Sequence, residues 1–148
     1  MPGVPALHVK RFADLTAGEL YALLQLRVNV FVVEQECAYP ELDGRDTEPA
    51  TRHVWLSRDG RVLAAIRTLD EPDGGSSIGR VVTDPSARGQ GLARRLLNCA
   101  LEELDLPRPV HLGAQAHLAE WYARSGFAVA GPEYLEDDIP HVPMRLDR

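Results

Sequence analysis

The sequence predicts one α/β domain of the α+β kind, spanning residues 1–148 and built on a single central sheet. Three observations lead there. Segments of helical period alternate with short apolar runs bounded by turn residues. No repeat, low-complexity tract or linker divides the chain. The length is enough to bury a core without disulfides or metal.

The first element is a helix. Thr16-Ala17-Gly18-Glu19 has capping-box spacing, a hydroxyl followed three residues on by a carboxylate. Leu20, Leu23, Leu24, Val28 and Phe31 then recur at helical spacing, and the helix is expected to fade near Glu34-Gln35. From Ala38 to Thr51 the chain is polar and rich in turn formers, a long irregular loop of the sort that is functional or mobile. His53–Ser57 and Val62–Leu69 read as a hairpin around Asp59-Gly60, and Ile78–Thr83 as a further strand. Arg88–Gly91 opens a second helix with Leu92, Ala93, Leu96, Leu97, Ala100, Leu101 and Leu104 as its apolar face, ended by Pro107 and Pro109. Val110–Ala114 is a short strand, and His117–Ser125 a short helix closed by Gly126. Phe127–Val129 and His141–Leu146 are closing strands. The strand-helix-strand run implies local parallel pairing.

Composition narrows the function. Hydrophobic residues make up 45% and charged residues 26%, which is globular, and the net charge of −6 argues against a sequence-independent nucleic-acid binder. The N-terminus has no apolar leader core, and no stretch approaches membrane-spanning length. Cys37 and Cys99 are too few and too far apart for a disulfide framework or metal knuckle. A cytoplasmic, metal-free protein that engages no membrane is expected.

The loop between Val81-Val82-Thr83 and the second helix carries the chemistry. Gly89 and Gly91 let the backbone turn sharply and let a ligand reach amides without Cβ interference. The helix start and Arg88 favour an anion, and a pyrophosphate fits best. The Walker pattern fails because no Gly-Lys-Ser/Thr follows, and the dinucleotide pattern fails at its third glycine, where Arg94 stands. Taken alone, the loop reads first as a tight turn before a helix.

Arg88-Gly89-Gln90-Gly91-Leu92-Ala93 resembles the Arg/Gln-x-x-Gly-x-Gly/Ala loop of the GNAT N-acetyltransferase superfamily. Trp121-Tyr122-Ala123-Arg124-Ser125-Gly126-Phe127 resembles the same superfamily's later helix, where a tyrosine stands four residues before Gly-Phe. Leu26 to Gln35, Gly113 to Leu118 and Glu136 to His141 are similar to its ElaA-type branch, so the match runs from about Leu20 to Met144. The resemblance implies a mixed, mostly antiparallel sheet splayed at the cofactor strand and flanked by helices. It implies acetyl-CoA as donor and direct attack by the amine of a small molecule or peptide. Val81, Val82 and Thr83 would offer backbone groups to the acetyl carbonyl and pantetheine arm, and Arg88, Gly89, Gln90, Gly91, Leu92 and Ala93 would hold the pyrophosphate. Tyr122 matches the general acid that protonates the departing thiolate, although a packed core tyrosine is the plain alternative.

For the base, Glu34 is the first candidate, because it ends the first helix beside the irregular loop. His117 and His141 follow as substrate-pocket residues, since imidazole as a side-chain type suits proton transfer, and a relayed water is an alternative to any side chain. Arg27 and Arg67 lie within apolar segments, so carboxylate partners are expected from among Glu34, Asp43 and Asp46. For His53 and Trp55, core and pocket roles both stay open. The cysteines read as inert thiols. Two other readings remain: an acyl-CoA-binding sensor without chemistry, and an enzyme like the acyl-homoserine lactone synthases, which Arg27-Val28-Asn29-Val30-Phe31 resembles. The acceptor is undefined, and the assembly, homodimer included, is open.

Overall fold

In the computed structural model, which describes residues 3–148, eight strands form one sheet with helices on both faces. The chain begins with strand β1 (Ala6–Arg11) and helix α1 (Ala17–Arg27), which continues as a π-helical stretch through Val28–Glu34. Strands β2 (Arg52–Arg58), β3 (Arg61–Asp70) and β4 (Ser76–Thr83) follow, then helix α2 (Leu92–Glu103), β5 (Val110–Gln115) and helix α3 (Ala119–Ala123). Strands β6 (Ala128–Val129), β7 (Tyr134–Glu136) and β8 (Ile139–Leu146) close the fold. The sheet order is β1-β2-β3-β4-β5-β8-β6, with β7 also on β8, and every pairing is antiparallel except β4–β5. The mixed, mostly antiparallel sheet is therefore as expected.

Local chemistry explains the elements. The Thr16 side chain accepts from the Glu19 amide at 3.0 Å, and Glu19 accepts from the Thr16 amide at 2.9 Å, which completes the capping box. Asp59 and Gly60 adopt φ of +53° and +78°, the paired left-handed conformation that turns a two-residue hairpin. β1 and β7 are strands beyond those the sequence predicts. β1 is an edge strand with Leu7 and Val9 still partly exposed, so its alternation is weak. β7 has only three residues, all exposed.

Each face of the sheet has its own core, because alternate residues of β2 point opposite ways. Trp55, with Val62, Ala65 and Val82, packs under Leu23, Leu26 and Val30 of the first helical segment. The deepest line of that segment is Leu23, Leu26 and Val30; the predicted Leu20, Leu24, Val28 and Phe31 flank it half-buried. That line keeps ordinary helical spacing, and the chain widens only beyond it, where the Gln35 amide donates to the Val30 carbonyl at 3.0 Å. β-branched Val28, Val30, Val32 and Val33 crowd an α-turn and favour this widening. On the other face Val54, Leu56 and Ile66 pack against Leu96, Leu97 and Ala100 of α2 and against Phe127. A fully buried leucine such as Leu97 contributes about 1.5–3 kcal/mol by leaving water.

The Ala38–Thr51 loop is pinned by buried charge. Arg27, 2% exposed, donates from Nε to Glu41 at 2.6 Å and from Nη1 to Asp46 at 2.8 Å. Arg67 donates to both Asp43 oxygens at 2.9 Å and to Asp46 at 3.2 Å. Asp43 and Asp46 are thus the carboxylates anticipated for these arginines. Glu34 is not among them: it pairs with Arg88, and Glu41 takes the place beside Arg27. His53 and Trp55 are both buried, the first donating to the Asp46 carbonyl at 3.1 Å and the second stacked on His8. Among the described residues no helix is long and apolar enough to cross a membrane.

Candidate active site

β4 and β5 run parallel and pair only at Ser76–Val110 and Ser77–His111. Beyond this they part, because β4 carries an extra residue: Arg67 faces Gly79 on β3–β4, whereas Ala65 faces Val82. The bulge falls at Arg80, whose φ of +52° is left-handed, and such an insertion sharpens the local twist and ends pairing. The β5-facing edge of β4 from Gly79 to Thr83 is therefore left without a partner strand. The gap is a cleft of about 620 Å³ walled by β4 at Val81, by β5 at Leu112 and Gly113, and by Phe31 of the π stretch and Gln35 just after it.

At the open end of β4 the chain turns through Asp84, whose carboxylate accepts from the Ser86 amide at 3.0 Å. Gly89 and Gly91 follow with φ of +79° and +73°, and Gly91 is the N-cap of α2. No side chain caps this helix, so its first-turn amides are free to meet an anion. Arg88 is already engaged. Its two terminal nitrogens donate to the two Glu34 oxygens at 2.7 Å each, and its Nε donates to the Thr83 carbonyl at 3.3 Å. The hydrogen bond from Arg88 holds the Glu34 carboxyl below its usual range, which makes it a weaker proton acceptor. Glu34 is exposed and lies outside the cleft wall.

Tyr122, on the single turn of α3, is 6% exposed and lies against the cleft. Its ring is held edge-on by Trp121 and Phe127. Gly126, at φ +100°, ends the turn and sends Phe127 back into the core. Among the described residues no group hydrogen-bonds its hydroxyl. Burial, opposed in part by Arg94, pushes the phenol up to about 12, so it stays a neutral donor.

The far wall is the β7–β8 hairpin. His141 is 8% exposed and lines the cleft. Its Nδ1 lies 2.7 Å from the Ile139 carbonyl oxygen, which can only accept, so this bond assigns the ring proton to Nδ1 and leaves Nε2 as the acceptor. Nε2 is 3.4 Å from Glu136. His117, in the turn before α3, is exposed and does not line the cleft. Tyr134 stacks on His141 and crosses β5 at Gly113, where a Cβ would run into its hydroxyl. Sequence reasoning missed the bulge at Arg80, Gly113 as a crossing point, and Tyr39. The Asp137-Asp138 turn was readable, since aspartate tolerates the left-handed φ of +50° and +64° found there. Cys37 lines the cleft, while Cys99 is buried, its thiol pushed up to about 11 first by burial and then by Glu103. Among the described residues no group of three or more His, Cys, Asp or Glu is placed to hold a metal.

Comparison with known proteins agrees with this geometry. The family model of the acetyltransferase (GNAT) domain matches residues 22–148. A UPF0039 protein of Mycobacterium tuberculosis is 53% identical over 135 residues, 88% of this chain and 86% of that protein. The crystal structure of an acyl-CoA N-acyltransferase from Pseudomonas aeruginosa superimposes with a TM-score of 0.89 at 49% identity, covering 97% of this chain and 99% of that one. Escherichia coli ElaA superimposes with a TM-score of 0.87 at 35% identity, over 97% of this chain and 100% of that one. The acyl-homoserine lactone synthase LasI, at 17% identity and a TM-score of 0.75, is alike in fold alone.

Proposed function

The chain belongs to the GNAT acetyltransferase family, and on that premise we propose that it is an acetyl-CoA-dependent N-acetyltransferase acting on a primary amine by direct attack. One observation carries the reading. The unpartnered edge of β4 and the unbonded Tyr122 hydroxyl border one cleft, and the same strand leads on into the glycine loop and the uncapped first turn of α2.

The residues present fit acyl-CoA. Arg88 to Ala93 would hold the pyrophosphate on uncapped amides, and the backbone of Val81, Val82 and Thr83 would take the acyl carbonyl and pantetheine arm. The donor supplies an activated thioester. A backbone donor held at the acyl oxygen needs no reorganisation as negative charge develops there, the usual source of large rate effects. Tyr122 faces the departing sulfur. On the acceptor side His141 takes the ammonium proton at Nε2, and Glu136 stabilises the imidazolium that results. For Arg88 to reach a phosphate it must leave Glu34, so Glu34 serves as a partner for the empty loop and not as the base.

These roles separate in mutants. Glu34→Gln is expected to leave kcat within about twofold and to change the KM for acetyl-CoA, because an exposed, solvent-screened pair contributes little. His141→Gln is expected to lower kcat by about 10²-fold or more. A loss of that size in Glu34→Gln, with His141→Gln unaffected, would return Glu34 to the role of base.

The reading as a whole is tested by free-thiol release from acetyl-CoA across a panel of amines, alongside calorimetric binding of acetyl-CoA and of longer acyl donors. Acceptor-dependent release is expected. Binding without any release would make the protein an acyl-CoA sensor.

A further inference from the structure

The acceptor arm of the cleft carries an unusual balance of charge. Arg67 and Arg80 are the only arginine or lysine side chains lining it among the described residues, and both are already engaged. Arg67 is held by Asp43 at 2.9 Å and Asp46 at 3.2 Å. Arg80 donates to the Glu41 carboxylate at 2.8 Å, to the Glu41 carbonyl at 2.9 Å and to Asp43 at 3.4 Å. With Arg27, three guanidinium groups meet three carboxylates, and the network is neutral. An acceptor with a free carboxylate, such as an α-amino acid, therefore finds no available cation.

The surplus in the cleft is negative. Glu136 and Asp137 line it from the β7–β8 hairpin. The tight Asp137-Asp138 turn brings the hairpin tip against the opposite wall, where the Cys37 thiol reaches the Asp137 carbonyl at 3.8 Å. The Cys37 thiol is pushed up by burial and then by the nearby charges of Asp137 and Asp138. Beside them the Tyr122 side chain, 6% exposed, presents to the cleft a hydroxyl with no hydrogen-bond partner among the described residues, and the buried His141 faces Glu136 across it at 3.4 Å.

We propose that the acceptor is an aliphatic diamine or polyamine, with its reacting amine between His141 and Tyr122 and its second ammonium on Glu136 and Asp137. The substrate class rests on the acetyltransferase reading above. In the transfer, nitrogen forms a bond to the acyl carbon and the carbon–sulfur bond breaks. The ammonium proton passes to His141, Tyr122 gives its proton to the leaving thiolate, and the second proton that nitrogen sheds as the amide forms restores the Tyr122 hydroxyl. The second ammonium stays charged and unreacted, so its contribution appears as selectivity.

The test compares acetyl-CoA thiol release with 1-aminobutane, 1,4-diaminobutane, spermidine and glycine. Two exposed carboxylates support a preference of about tenfold in kcat/KM for 1,4-diaminobutane over 1-aminobutane. In Glu136→Gln/Asp137→Asn that ratio is expected to fall towards one, and in the wild type it should shrink as salt screens the carboxylates. Asparagine keeps the left-handed turn accessible, and a circular dichroism melt checks the fold of the variant. Turnover with equal kcat/KM for the two amines, or a preference for glycine, would overturn the substrate class while leaving the acetyltransferase reading intact. No release with any amine, despite acetyl-CoA binding, would overturn that reading and the substrate class with it.

Discussion

Replacing Tyr122 by phenylalanine is expected to lower kcat at saturating acetyl-CoA by about 10²–10⁴-fold, the usual cost of losing a positioned acid. The same change should barely move the melting temperature, because the hydroxyl has no hydrogen-bond partner among the described residues and the ring keeps its contacts with Trp121 and Phe127. This pairing of outcomes separates chemistry from packing. A tyrosine that only fills the core would show neither a large rate loss nor a stability loss on becoming phenylalanine. A phenol pushed up to about 12 by burial gives its proton uphill to a thiolate whose acid has a reference value of about 8.5. Its main service is then a hydrogen bond to the departing sulfur. No alkaline limb from this group is expected in the rate profile until pH approaches that raised value. Steady-state kinetics and a thermal melt on one preparation measure both quantities, and unchanged turnover would remove Tyr122 from the mechanism.

Arg27→Ala is expected to cost about 3–5 kcal/mol, the price of stranding buried carboxylates. Glu41 is 3% and Asp46 5% exposed, and each would keep only one guanidinium, Arg80 for the first and Arg67 for the second. For a chain of this length the loss corresponds to about 6–20 °C in melting temperature. The α1–β2 loop should loosen first, and with it the cleft wall at Tyr39 and Asp43. An unchanged melting temperature would show that the network contributes nothing to stability. The pH dependence has a defined sign. Burial raises the Asp46 carboxyl, but hydrogen bonding and charge from Arg27, with Arg67, outweigh it and leave it below its usual value; Asp43 is likewise held low, burial being outweighed by Arg67. Carboxyls depressed on folding stabilise the fold fully above their unfolded value of about 3.9, and that contribution is lost as pH falls through the folded value. Melting temperature should therefore drop below about pH 4 in the wild type, and less steeply in Arg27→Ala, where Asp46 has lost its main partner.

Local signals determined much of this protein in advance. The capping box at Thr16, the Asp59-Gly60 turn, the apolar face of α2 and the glycine loop each depend on residues close in sequence, so they were legible without tertiary contacts. The same holds for the order of the elements apart from β1 and β7 and, with the Tyr122-to-Phe127 segment, for the resemblance to the GNAT family. The partners of charged groups were only partly legible. That Arg27 and Arg67 needed carboxylates followed from their apolar surroundings. That Glu41 is one of them, and that Glu34 pairs with Arg88, depended on a π-helical stretch that turns the end of the first helix, which helical period cannot foresee. The cleft itself was decided by one extra residue at Arg80, a mismatch in register between two strands that neither strand's sequence records. Its far wall comes from β7 and β8, distant in sequence and weak in pattern. The loop could say that a helix start suits an anion; only the folding of the β7–β8 hairpin against Cys37 set which charges line the cleft.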